Sequence, residues 1–75
     1  MREVNVRRWR KAVGEASKNT GLSVQELGLA AGFCRTYLYD RKTTTDPHLS
    51  MIKFISQKSG CSVDWMLGLS DEEMR

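Results

Sequence analysis

Seventy-five residues leave room for one domain with a small core, and the expected organisation is a single unit over 1–75. No apolar run approaches the ~20 residues that cross a bilayer, and the N-terminus lacks the apolar stretch of a signal peptide, so a membrane protein is excluded and a cytoplasmic one is expected. The net charge of +3 is uneven: residues 1–42 hold nine Arg or Lys against four acids (+5) and residues 43–75 three against five (−2), an asymmetry that favours a polyanionic partner for the N-terminal half.

The first helix is predicted over 3–18, with Val6, Trp9, Val13 and Ala16 as its apolar stripe and Trp9 as the main anchor. Arg7, Arg8 and Lys11 lie away from that stripe, where a solvated face is the commonest role and contact with phosphates the sharper one. Asn19, Thr20 and Gly21 end the helix. Ser23 is placed to cap the next one, with Glu26 three residues on completing a capping box.

The second helix is predicted over 24–31. Val24, Leu27, Gly28 and Ala31 fall on one narrow arc, and the small residues among them let another segment cross close by. Gly32 supplies the positive φ that closes a helix, and Phe33 is placed to fold back onto the apolar face. A third helix, predicted over 35–42, turns Arg35, Thr36, Tyr39, Asp40 and Thr43 to one side, and Cys34, Leu38 and more loosely Tyr37 to the other. Two short helices joined by a tight turn at Gly32 read as a helix-turn-helix whose second helix enters the major groove. Arg35 can present its fork to guanine O6 and N7, and Thr36 can meet a thymine methyl or a phosphate.

Thr43, Thr44 and Thr45 favour a loop, and Asp46 before Pro47 predicts a capped helix over 47–59 with Leu49, Ile52, Ile55, Ser56 and Ser59 on its buried face, Met51 at the edge and Phe54 nearly opposite. The last helix, 63–67, is expected to be capped by Ser62, to bury Val63, Met66 and Leu67, and to leave Trp65 off the stripe, as Leu29 is in the second helix; a tryptophan at a helix end either wraps back into the core or joins a partner surface, and the sequence favours neither for Trp65. The acidic tail 70–75 is expected to be a solvated end. Cys34 and Cys61 read as reduced core thiols: their spacing suits no metal, no cysteine or histidine cluster completes a zinc site, and neither a metal nor a cofactor is expected. His48 is the lone histidine and is expected at an exposed helix start; with no nucleophile pairing and no Gly-rich phosphate loop, an enzyme is not expected.

The stretch 24–43 resembles the helix-turn-helix of the λ-repressor/Cro family through Leu27, Gly28, Gly32, Phe33 and Leu38 at family spacing. The likeness continues through Gly60 and the run Ser62-Val63-Asp64-Trp65, similar to a closing segment of phage repressors, so it covers most of the chain. The chain departs from the pattern at Ser17 and Lys42, where many relatives carry a bridging Arg and Glu, at Arg41, often apolar, and at Val24, often Gln. The resemblance implies an all-α, compact five-helix DNA-binding domain with a central helix-turn-helix, acting as a small phage-type, Cro-like transcriptional repressor on a double-stranded DNA operator. It hands the phosphate contact of the missing Gln to Gln25 or Ser23. The candidate DNA contacts are these two with Arg35, Thr36, Tyr37, Tyr39 and Asp40, and with Lys42 and Thr43 at the end of the recognition helix.

One recognition helix covers few base pairs, so a homodimer on DNA, weak in solution, is expected. Its candidate surface is the apolar set off the core stripes: Phe54, Trp65 and Leu69. The length leaves out the C-terminal dimerisation and cleavage domain of full-length phage repressors, which favours a stand-alone regulator or an excised DNA-binding domain. The competing class is a protein-interaction module on the same fold, an anti-repressor or antitoxin, and salt-dependent DNA binding separates the two.

Overall fold

The computed structural model describes residues 4–40 and 46–74. Within them lie four α-helices, α1 (Val6–Thr20), α2 (Val24–Ala30), α3 (Leu49–Ser59) and α4 (Val63–Met66), and one 3-10 turn, Tyr37–Tyr39. No strand occurs among the described residues beyond an isolated bridge between Cys61 and Met74. The fold is a compact all-α domain, and none of these helices is long and apolar enough to cross a membrane.

Local chemistry sets most of the helix ends. Asn5, rather than a residue near Glu3, caps α1: its Oδ1 accepts the Arg8 N–H, and its own N–H donates to the Met66 carbonyl at 2.9 Å, pinning the start of α1 to α4. Gly21 closes α1 at φ 74°, two residues beyond the predicted end at 18, so that Asn19 and Thr20 belong to the helix. The expected box forms at α2, with the Glu26 N–H donating to Ser23 Oγ at 3.2 Å and the Ser23 N–H to Glu26 Oε1 at 2.9 Å. At the far end Gly32, at φ +88°, donates to the Leu29 carbonyl and Phe33 to that of Gly28, the paired bonds that end a helix and reverse the chain. α3 starts two residues later than the Asp-Pro pair suggests: His48 occupies the cap position and Leu49 is the first helical residue. Ser62 caps α4 through the Trp65 N–H, as expected.

α1 lies mainly along α3, and the core forms between them. α1 buries Trp9, Ala12, Val13 and Ala16, a stripe at i, i+3, i+4 and i+7 that includes Ala12 and leaves Val6 only partly covered. α2 contributes Leu27, α3 Met51, Ile52 and Ile55, and α4 Met66. Fully burying each of the large side chains stabilises the fold by about 1.5–3 kcal/mol. Met51, expected at the edge, is fully buried, while Leu49, expected inside, is exposed. The buried hydroxyls are satisfied locally: Ser56 Oγ donates to the Cys61 carbonyl at 2.7 Å, and Ser59 Oγ accepts the Cys61 N–H at 3.1 Å.

The structure decides two readings of the C-terminal region. Trp65 is 7% exposed and wraps back into the core, with basic side chains of α1 against its ring. The Arg8 guanidinium sits 5.3 Å and the Lys11 ammonium 5.8 Å from the ring centroid. Arg8 also donates to the carbonyls of Trp65 (3.1 Å) and Ser70 (2.9 Å). The backbone of the acidic tail is therefore docked, while the Asp71 and Glu72 side chains stay exposed as expected. Asp71 pairs with Arg8 and Glu73 with Lys11, while Ser62 donates through its N–H to Glu73 O and through its hydroxyl to Glu72 O.

Candidate nucleic-acid interface

The candidate surface is built on the end of α2. Gly28 is buried there because the returning chain crosses it: a Cβ at this position would stand 2.6 Å from the Cys34 carbonyl oxygen. With Gly28 bare, the segment after the turn rests directly on α2, and Leu38 reaches the core at 7% exposed. Tyr37 is drawn inward as well. Its ring lies 4.3 Å from that of Phe33, and its hydroxyl accepts the His48 N–H at 2.7 Å, which ties the turn to the start of α3.

Beyond the turn the chain departs from the predicted helix 35–42. Arg35 and Thr36 form a turn, Tyr37–Tyr39 a single 3-10 turn, and Asp40 is extended at φ −70°, ψ 131°. Arg41, Lys42 and Thr43 lie outside the described residues. Over the described part of the expected recognition helix, the bonds are Tyr37 N–H to Cys34 O, Tyr39 N–H to Thr36 O and Asp40 N–H to Thr36 O. Cys, Thr and Tyr are weak helix formers, and Thr36 at the cap position makes no side-chain capping bond, so nothing local drives a longer helix. Four helices and a 3-10 turn thus stand, among the described residues, where five helices were expected.

The site residues divide accordingly. Arg35, Thr36, Tyr39 and Asp40 are exposed on the short segment after the turn, and Ser23 and Gln25 are exposed at the start of α2. Ser23 is already engaged through both its N–H and its hydroxyl by Glu26. The Ser23 N–H, then its hydroxyl, hold the Glu26 carboxyl below its ordinary range, and the positive charge of Arg35 adds to this. Tyr37, half-buried and bonded to the α3 start, is a framework residue of this surface rather than a free contact.

Cys34 is exposed, contrary to its expected core position, because the chain passes over Gly28 by its backbone and leaves the side chain outside. The Thr36 hydroxyl, 3.5 Å from Sγ, and then the Thr36 N–H push this thiol below its ordinary range. Cys61 is buried as expected.

The cations of α1 are not equivalent. Arg8 and Lys11 are committed to the tail and to Trp65, whereas Arg7, Arg10 and Lys18 are exposed and pair with no carboxylate among the described residues. Sequence periodicity groups Arg7, Arg8 and Lys11 together; only the docked tail separates them, and nothing within α1 signals it.

The patch proposed for self-association is dispersed. Trp65 is buried, Phe54 is partly buried against the core with the Lys58 ammonium 5.6 Å from its ring, and Leu69 alone of the three is well exposed. Comparison with protein-family models, known proteins and solved structures finds no match to this chain.

Proposed function

We propose that the chain is a sequence-specific double-stranded DNA-binding domain of the λ-repressor/Cro type, a small phage-type transcriptional repressor in which the segment after Gly32 faces the major groove. The observation that carries the reading is the crossing at Gly28: the turn is locked on α2 through backbone contact, inward Leu38 and Tyr37 hold it down, and Arg35, Thr36, Tyr39 and Asp40 are left outside together. A rigid base carrying one unobstructed Arg fork and short polar side chains is what base-edge readout needs. The basic excess of residues 1–42 supplies the field that draws a polyanion toward it.

Within this reading Arg35 reads a base, most favourably guanine, and Thr36 and Tyr39 flank it. Asp40 discriminates more than it binds: near phosphates a carboxylate either accepts from cytosine N4 or repels wrong placements. Gln25 or Ser23, at the start of α2, takes the phosphate backbone, Ser23 only through the hydroxyl proton that its capping bonds leave over. The 3-10 turn gives a shorter reading element than a full helix, which strengthens the need for two copies on half-sites about 34 Å apart.

Selection of duplexes from a random library tests the proposal. A DNA reader enriches a two-fold symmetric consensus, and Arg35→Ala then costs about 1–3 kcal/mol on the selected site while leaving random DNA nearly unchanged. Absence of any enriched sequence overturns the reading in favour of an interaction module, and an equal loss on all DNA demotes Arg35 to a phosphate anchor.

A further inference from the structure

Residues 70–74 run as a strap between α1 and the start of α4, held by hydrogen bonds and ion pairs. The Ser62 N–H donates to the Glu73 carbonyl at 2.6 Å and the Ser62 hydroxyl to the Glu72 carbonyl at 2.9 Å, while Cys61 and Met74 form an antiparallel bridge. On its other side Arg8 donates to the Ser70 carbonyl at 2.9 Å, and the Lys11 ammonium lies 3.0 Å from the Glu73 carboxylate. The strap's one apolar side chain, Met74, is 60% exposed, so apolar burial adds little to its hold. What the strap covers is charge. The Arg8 guanidinium is shared among two carbonyls, the Asp71 carboxylate at 3.4 Å and the Trp65 ring, and Lys11 pairs with Glu73 beside it. Arg7, Arg10 and Lys18 on the same helix pair with no carboxylate among the described residues. The division has a direction. Arg8 and Lys11 stand on the flank of α1 toward α4, and within the described residues α4 packs on α1 and α3 but on neither α2 nor the 3-10 turn. Residues two apart lie about 160° apart around a helix, so Arg10 faces away from Arg8. Positive charge is thus matched on the flank remote from the candidate contacts.

We propose that the acidic strap is an intramolecular competitor that keeps polyanions off this flank of α1, so that a duplex meets the domain through α2 and the turn alone, a role that rests on the duplex-binding reading. Bare, Arg8 and Lys11 would form a second cationic face over Trp65, one that takes any phosphate chain without regard to its bases and so competes with readout. Exposed ion pairs are individually weak, but the backbone bonds to Ser62 and from Arg8 hold the carboxylates in place at the two cations.

The test compares two full-length variants of equal net charge. Asp71→Asn/Glu73→Gln removes the carboxylates that face Arg8 and Lys11, and Asp64→Asn/Glu72→Gln removes two exposed carboxylates that pair with no cation among the described residues. A random duplex should bind the strap variant about three- to tenfold more tightly than the control, with a slope of log K against log salt steeper by about 0.9 for each cation freed. The duplex should move the indole N–H resonance of Trp65 in the strap variant and leave it in place in wild type and control. Lys11→Gln should remove much of the gain in the strap variant and have little effect in wild type. Equal affinities of the two variants, a Trp65 resonance that the duplex moves in wild type or in neither variant, or an equal effect of Lys11→Gln in both backgrounds overturns the strap as a mask and leaves the duplex reading standing. Failure of wild type and both variants to bind any duplex overturns the reading and the mask with it.

Discussion

Two helical glycines, one crowded and one bare, give the sharpest stability test. At Gly28 an added methyl would lie 2.6 Å from the Cys34 carbonyl oxygen, 3.7 Å from its carbon and 3.9 Å from Tyr37 Cβ. Carbon and oxygen rest at about 3.3 Å, so the turn must move by about 0.7 Å. The carbonyl in the way is backbone and accepts the Tyr37 N–H, which leaves it little freedom to yield. Overpacking of this kind costs about 1–3 kcal/mol, against about 1 kcal/mol recovered from the better helix propensity of alanine. With the rigid neighbour the upper part of the range applies, and Gly28→Ala should lose about 1–2 kcal/mol. Gly14→Ala meets no atom within 4 Å and should gain about 0.5–1 kcal/mol. Thermal unfolding followed by far-UV circular dichroism reads both, since each kcal/mol moves the midpoint of a domain this size by about 4–8 °C. Gly28→Ala should melt about 4–16 °C below wild type and Gly14→Ala a few degrees above it. A Gly28→Ala protein as stable as Gly14→Ala would show that the turn does not rest on α2, and the rigid base of the proposed reading surface would go with it.

The corrected C-terminal region and the α2 cap have consequences of their own. Trp65→Ala should cost about 3 kcal/mol or more by urea unfolding, a core-sized loss, while Leu69→Ala at a 74% exposed position should change stability by less than about 0.5 kcal/mol. Ending the chain at Leu69 removes the acceptors of Arg8 and of Ser62 in the tail and should cost about 1–3 kcal/mol; unchanged stability would mean the tail is only lightly held. Because the folded-state pKa of Glu26 is depressed, its contribution is present above the ordinary carboxylate pKa and lost as pH falls through the folded value. The advantage of wild type over Glu26→Gln should therefore be full at neutral pH and vanish in acid; an advantage that persists once the carboxyl is protonated would contradict the cap as its source.

What could be read from the sequence is what local chemistry decides. Ser23 with Glu26, Gly21, Gly32 and Ser62 all end helices where expected, since capping bonds span only a few residues and need no knowledge of the rest of the chain. Gly28 was legible as a close-approach position for the same reason. Trp65 was legible only as an alternative between core and partner surface: it lies off the stripe of α4, and its cover comes from Arg8 and Lys11 on α1, more than fifty residues away. The docking of the tail backbone was hidden for the same reason, because an acidic end looks solvated until the cations it meets are known. At α3 the helix starts at Leu49 instead of at the Asp46-Pro47 signal, and the His48 N–H there donates to the Tyr37 hydroxyl. The segment after Gly32 carries a helical pattern of exposed and buried residues but weak helix formers, and pattern alone overestimated its length.

The claim that this chain grips duplex DNA through its backbone phosphates is tested most directly by the salt dependence of binding. Fluorescence anisotropy of a labelled duplex, titrated with the protein at several salt concentrations, gives the slope of log K against log salt. Each phosphate that Lys or Arg neutralises contributes about −0.9 to the slope, so a clearly negative slope shared by cognate and random duplexes is predicted. A slope near zero, or no binding at low salt, would contradict the account.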